Sequence, residues 1–371
     1  MDTIHKLPRV ERFGDRSIEG RRYTDPEQLE LEMDLVFRPG WVVGCPLWQV
    51  SEPGSWSVLN ETSPFSVVVT RDTNGKLHAF RNACVHRGSS IVKACGKGTA
   101  LRCAYHGWSY SLDGQLREVP RAEGFGGVDP HAMRLKTVSH AVFAGMVWIN
   151  LSENAEPLAS SLSGIDEDLQ PYALSEMEPI QERVFSVPVN WKSMMENAFD
   201  YYHAAEVHRH TIHAHVDSTP ELAILGDHMC QNLHIAPYKW RRMLDEHCSR
   251  GGPYSERQMS RLFKYTIFPN TIINVLPYHL TVMRFWPDGV GRTRLHYAFC
   301  QRRGARGIER LRAWGTWLAS RVILAEDVRM LVRCQQDLDS DAVPHHLLHD
   351  YEAAAAHFHG VLNRQLSEGI S

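Results

Sequence analysis

The segment 82–111, NACVHRGSSIVKACGKGTALRCAYHGWSYS, carries two Cys–His pairs, Cys84-Val-His86 and Cys103-Ala-Tyr-His106. Each pair fits within one short turn. Brought together, the two turns present two thiolates and two imidazoles to a common point. No other feature of the chain limits its fold so strongly, because the surrounding backbone must form a frame that makes both turns meet.

Such a set suits two kinds of centre. It could hold zinc tetrahedrally. It could also hold a [2Fe–2S] cluster, with two thiolates on one iron and two imidazoles on the other, which raises the reduction potential because neutral ligands replace anionic ones. Zinc loops usually pair like ligands, whereas unlike ligands alternate here. Gly88 and Gly107 follow the histidines and let backbone N–H groups approach the sulfurs. The flanking sequence reads as short strands and turns: WVVG, FSVVVT and GMVWINL are split by Gly, Pro, Asn and Asp, with hairpin signals at Asn74-Gly75 and Asp113-Gly114. An all-β module is expected over about 40–152.

The chain has eight cysteines: Cys45, Cys84, Cys95, Cys103, Cys230, Cys248, Cys300 and Cys334. In a reducing compartment they form no disulfide framework, and Cys95 reads as a bystander between the two turns. The formal net charge of −3 gives no reason to expect nucleic acid or an anionic membrane as a partner. The first thirty residues show no apolar signal region, and no run is long enough to span a bilayer, so a cytoplasmic location is expected.

Beyond a polar connection at 152–170, strand-like pieces at 183–188, 264–276, 279–286 and 292–301 alternate with helical segments at 191–208, 309–338 and 349–366; another helical pattern covers 25–38. Strands followed by long helices suggest an α+β second domain. Within NWKSMMENAFDYYHAAEVH, 190–208, Asp200 and His203 would share a helix face. His203 and His208 are five apart, a spacing that an ideal helix splays by about 140°. Both reach one metal only if the helix bulges or ends near Glu206-Val207. His210, His213 and His215 crowd after them and leave the pairing open at this point.

Taken together, these residues resemble the Rieske non-haem iron oxygenases of the aromatic ring-hydroxylating type, in their terminal (alpha) component. The first stretch resembles the signature C-x-H-R-G … C-x-x-H-G-W at Cys84, His86, Arg87, Gly88, Cys103, His106, Gly107 and Trp108, with Ala104 and Ile91 as small departures. The second resembles the catalytic segment N-W-K-x₃-E-N-x-x-D-x-x-H-x₄-H. ILAEDVRMLVRCQQDL, 323–338, resembles the family's E-D-x₇-Q segment.

The resemblance implies a Rieske [2Fe–2S] domain (40–152) held by Cys84, His86, Cys103 and His106. It implies a helix-grip (START-like) catalytic domain (1–39 and 153–371) with an antiparallel sheet and long C-terminal helices. It implies a mononuclear Fe(II) on His203, His208 and Asp327, with Glu326 as the alternative third ligand, and Asp200 as an inter-subunit electron bridge to His106 of a neighbour. It further implies a homotrimer fed by a separate NAD(P)H-dependent flavin and iron–sulfur reductase, with a ferredoxin as a further possible carrier. The substrate would be small and aromatic, hydroxylated or demethylated with O₂, and lined by Phe199, Tyr202, Phe268, Ile273 and Val275. A quaternary ammonium substrate of the carnitine, betaine or choline kind, an electron carrier without catalysis, and a zinc-stabilised binding protein are the alternatives.

Overall fold

The computed structural model describes residues 17–59, 66–126, 129, 132–162, 164–213, 220–234, 247, 260–276 and 278–369; His215 and Cys248 lie outside them. The chain divides into two compact units, one of Arg38–Leu158 and one of Met1–Phe37 with Ala159–Ser371. Among the described residues no helix is long and apolar enough to cross a membrane.

The Arg38–Leu158 unit is all-β. A four-stranded antiparallel sheet runs in the order Leu77–Arg81, Val67–Arg71, Ser55–Leu59, Gly96–Lys97, and two three-stranded sheets complete it. The strands alternate as a half-buried sheet requires, with Ser55–Leu59 reading buried at every second residue. Asn74-Gly75 and Asp113-Gly114 turn the chain, Gly75 at φ +82° and Gly114 at φ +85°. At Gly114 an added Cβ would also meet the Phe80 ring at 2.5 Å, so glycine is required there twice over. The core gathers Val68, Phe80, Leu101, Trp108, Tyr110 and Leu116 around both Cys84 and Cys103.

The other unit is built on a seven-stranded sheet, whose strands we number β1 (Met177–Val187), β2 (Glu221–Leu225), β3 (His228–His234), β4 (Arg261–Ile267), β5 (Thr271–Leu276), β6 (His279–Pro287) and β7 (Thr293–Arg302). Their spatial order is β1-β7-β6-β5-β4-β3-β2, with every neighbouring pair antiparallel. The helices that bear on the site are α1 (Pro26–Glu32), α2 (Trp191–Phe199), the short α3 (Ala204–Val207), α4 (Ile308–Asp339) and α5 (Ala353–Glu368). Trp317 of α4 packs on Tyr297 and Phe299 of β7, with ring centroids 5.4 and 6.1 Å apart.

Helix α2 is held unusually firmly. Asn190 caps it, its side chain accepting from Lys192 N at 2.9 Å while its own amide donates to Tyr23 O and Val290 O. Lys192 and Glu32 are both fully buried and pair at 2.8 Å, and the Trp191 indole donates to the same carboxylate at 2.8 Å. Glu196 accepts from Tyr23 Oη at 2.7 Å and faces His359 Nε2 at 2.8 Å. The polar residues of the N-W-K-x₃-E stretch therefore tie this helix to α1, α5 and the Gly20–Tyr23 turn.

Three expectations change. The helix expected over 191–208 is two helices with a break at 200–203, because Asp200 takes an extended conformation (φ −79°, ψ 136°). The strand expected over 264–276 is two strands, turned at Phe268-Pro269. The helix expected over 25–38 is α1 followed by a π-helical turn at Met33–Phe37.

Candidate metal centres

In the all-β unit the two Cys–His turns are built alike. Cys84 N donates to Ser89 O and Gly88 N to Cys84 O, both at 2.8 Å; Cys103 N donates to Trp108 O at 2.9 Å and Gly107 N to Cys103 O at 3.0 Å. Gly88 and Gly107 close the turns at φ +73° and +76°, a conformation glycine adopts freely. The two sulfurs are buried, while His86 is half-buried and His106 exposed. The two imidazole rings lie 4.6 Å apart, and His86 stacks on Trp108 at 4.9 Å. Tyr110 Oη lies 3.1 Å from Cys84 Sγ and accepts from Val85 N at 3.2 Å. Burial, then the neighbouring Cys84, pushes the Tyr110 phenol far above its ordinary pKa, so it stays a protonated donor. His86 Nδ1 is buried and makes no hydrogen bond, as a nitrogen reserved for a metal would. Cys95 stands apart, beside Ser57 Oγ at 3.5 Å.

In the other unit the break after α2 creates a second centre. Asp200 Oδ1 accepts from Tyr202 N at 2.6 Å, and Oδ2 faces His203 Nδ1 at 2.7 Å. His203 caps the N-terminus of α3 and His208 its C-terminus. The five-residue spacing is thus resolved by a helix only four residues long. His208, 2% exposed, turns its Nδ1 to Glu326 Oε2 at 2.8 Å, and Thr211 Oγ1 donates to the same oxygen at 2.9 Å. A carboxylate only accepts, so both Nδ1 atoms carry hydrogen and both Nε2 atoms present lone pairs.

Those Nε2 atoms lie 3.3 Å apart, with Asp327 Oδ1 at 3.4 Å from one and 2.9 Å from the other. Asp327 Oδ1 is buried and makes no hydrogen bond of acceptable angle. Three lone-pair atoms that converge this closely repel one another unless a cation sits among them, and they are spaced as one face of an octahedron with bonds of about 2.1 Å requires, roughly 3 Å apart. Without a metal a proton must serve: burial lowers the His203 pKa, but the carboxylates of Asp200 and Asp327 lift it to about 9. Burial raises that of Asp327, yet the two imidazoles hold it down at about 2. Two imidazoles and one carboxylate form the donor set of O₂-activating non-haem Fe(II) sites, and the residues present fit such an ion.

Adjacent residues of α4 therefore do different jobs: Asp327 faces the two Nε2 atoms, and Glu326 holds His208 from behind. His210 and His213 do not join the group among the described residues. The five expected pocket residues are not brought together at this centre. Phe199 and Phe268 pack on Phe358 of α5, at 5.7 and 5.8 Å. Tyr202 is 55% exposed and stacks on His349. Ile273 and Val275 pair with Tyr265 and Phe263, on the sheet face covered by Asp168 and Tyr172. The opposite face carries Gln231, Lys264, Asn274 and Thr281 in one cross-strand row. Gln231 and Lys264 of that row reach α2. A period of two puts neighbouring strand residues on opposite faces, and apolarity alone did not say which face meets α2. Glu32, Thr211, Gln231 and Lys264 carried no motif signal and were not anticipated; Asn197 stands in the E-N-x-x-D part of the catalytic segment, but that pattern assigned it no role.

Comparison with known proteins gives two family matches. The family described as ring hydroxylating alpha subunit (catalytic domain) matches residues 174–368, just over half of the chain, and the Rieske [2Fe-2S] domain matches residues 40–138. The chain is 30% identical over 201 residues to the glycine betaine monooxygenase oxygenase subunit of Chromohalobacter salexigens, a match spanning 53% of this chain and 44% of that protein. It is 30% identical over 194 residues to the anthranilate 1,2-dioxygenase large subunit of Acinetobacter baylyi, spanning 50% and 41%. The match thus spans less than half the length of either curated relative. Among solved structures, a quaternary ammonium Rieske monooxygenase superposes with a TM-score of 0.80 at 20% identity, covering 94% of this chain and 95% of that one. Naphthalene 1,2-dioxygenase from Rhodococcus sp. superposes with a TM-score of 0.79 at 18% identity, covering 94% of each.

Proposed function

The chain belongs to the family of ring-hydroxylating oxygenase alpha subunits and contains a Rieske [2Fe–2S] domain, and from that premise we propose that it is a terminal oxygenase acting with O₂ on a small organic substrate. Cys84, His86, Cys103 and His106 hold the cluster; His203, His208 and Asp327 hold Fe(II). The observation that carries this reading is the convergence of two imidazole Nε2 atoms and one carboxylate oxygen within 3.4 Å, each imidazole backed by its own acid.

Bound at these sites, the cluster supplies single electrons and the mononuclear iron supplies O₂ activation. The chain's own residues do the rest. Asp200 and Glu326 hold the Nδ1 protons of His203 and His208, which fixes the tautomer and makes each Nε2 a better donor. Asn197 hydrogen-bonds the Asp327 carboxylate and fixes its angle. Tyr110 donates to a cluster thiolate. Asp200, with Oδ1 and Oδ2 at the start of α3, is the acid we assign as the bridge to His106 of a second copy in a trimer. Electrons come from a separate NAD(P)H-dependent flavin and iron–sulfur reductase, with or without a ferredoxin, in the cytoplasm.

For the substrate we keep a small aromatic molecule, hydroxylated or demethylated, a reading supported by the named function of the anthranilate 1,2-dioxygenase relative. A second reading, a quaternary ammonium substrate, is favoured by the named function of the glycine betaine relative. A single turnover separates them: the protein is reduced anaerobically, given O₂, and its products are screened by mass spectrometry across aromatic acids, anilines, phenyl ethers and carnitine-, betaine- and choline-like amines. An oxygenated or demethylated aromatic supports the first reading. Turnover of the amines alone replaces the substrate but keeps the oxygenase. Re-oxidation of the cluster with no product from any of them leaves either an electron carrier or a substrate outside this panel, and iron per chain then separates the two.

A further inference from the structure

The last turn of α2 carries Asn197 and ends at Asp200, two of the iron site's supporting residues, and its carbonyls are held from the sheet. Asp200 N donates to Glu196 O at 2.8 Å, which closes the helix. Ala198 O accepts from Lys264 Nζ, and Phe199 O accepts from Gln231 Nε2 at 2.7 Å. Lys264 and Gln231 are direct cross-strand partners on β4 and β3. They are 8% and 2% exposed. The Lys264 ammonium also sits 4.6 Å from the Tyr201 ring centroid. Two adjacent side chains of one rigid sheet thus grip two consecutive carbonyls, immediately before Asp200, the residue that orients His203.

Helix ends commonly leave such carbonyls to water or to a glycine cap. Here the helix stops abruptly, and the extended backbone at Asp200 lets its carboxylate reach forward to both Tyr202 N and His203 Nδ1. A cation at the C-terminal carbonyls suits the helix dipole.

We propose that Lys264 and Gln231 form a two-point clamp on Ala198 O and Phe199 O, and that this clamp positions Asp200 and His203 for metal binding. The two are positioning residues and touch no iron ligand themselves. The proposal rests on the iron-site reading above and extends it to the sheet.

The test uses the full-length protein, freed of its mononuclear metal and titrated with Co(II) as a spectroscopic probe, with a competing chelator to fix the dissociation constant. Lys264→Met should weaken Co(II) about tenfold and alter its visible ligand-field bands, within the range expected for lost outer-shell contacts. Lys264→Gln, whose amide can still reach Ala198 O, should restore most of the affinity and the native bands. Gln231→Met should weaken Co(II) independently and serves where the lysine variant does not fold. Native affinity and bands in Lys264→Met and Gln231→Met would overturn the clamp, as would a Lys264→Gln protein no better than Lys264→Met. His203→Ala is the control on the underlying reading: if it leaves Co(II) binding intact, the iron-site assignment fails rather than the clamp.

Discussion

Single residues divide the work at each centre. Asp327 and Glu326 are neighbours in sequence, yet one faces the metal position and the other holds His208. Asp327→Ala should leave the mononuclear site empty after purification, whereas Glu326→Ala should keep it but weaken Fe(II) roughly 10–100-fold, read by chelator competition. Asp200→Asn should retain the iron at both centres and abolish turnover. At the cluster, the Tyr110 hydroxyl lies 3.1 Å from Cys84 Sγ. A hydrogen bond to a charged acceptor is worth about 1.5–3 kcal/mol, so Tyr110→Phe should lower the cluster's reduction potential by at most about 130 mV for a one-electron couple, measured by spectroscopic redox titration. The metal-free site also has a pH signature. His203 titrates near 9, above its ordinary value, so its protonated form stabilises the metal-free fold fully below about pH 6.5 and that stabilisation is lost as pH rises through 9. A metal must displace the same proton. Its apparent affinity should therefore climb with pH, by up to about tenfold per unit, and level off above 9, with proton release visible by calorimetry in two buffers.

At the scale of elements, the sequence was most legible where spacing carries chemistry. The two Cys–His turns, the order of the segments and the long helix α4 (Ile308–Asp339) could all be read in advance. The break at Asp200 could not, because residues 191–208 have helical apolar spacing throughout, whereas the interruption coincides with a local Asp200–His203 contact and with contacts from Lys264 and Gln231, more than 30 residues away in sequence. The placement of the expected pocket residues was hidden for a related reason. Ile273 and Val275 are as apolar as a lining requires, but register put them on the other face. Nor did any motif announce Glu32, which lies 160 residues from its partner Lys192. That buried pair anchors α2, and burial pulls the lysine's pKa down against the attraction of Glu32. Lys192→Met should leave a buried carboxylate without its cation and destabilise the protein by about 3–5 kcal/mol in urea unfolding.

For the molecule as a whole, the account requires two centres in one chain, a cluster in the Arg38–Leu158 unit and a mononuclear iron in the other. If electrons pass between copies, a cluster-deficient Cys103→Ser chain and an iron-deficient His208→Ala chain, each inactive alone, should regain turnover when co-assembled. The central claim is tested most directly by iron and acid-labile sulfide per chain, measured on the wild-type protein and on His208→Ala. The account predicts two irons and two sulfides from the cluster plus one further iron in the wild type. His208→Ala should lose only that further iron and keep its red-brown colour. A colourless zinc protein, or a His208→Ala variant with the wild-type iron content, would contradict it.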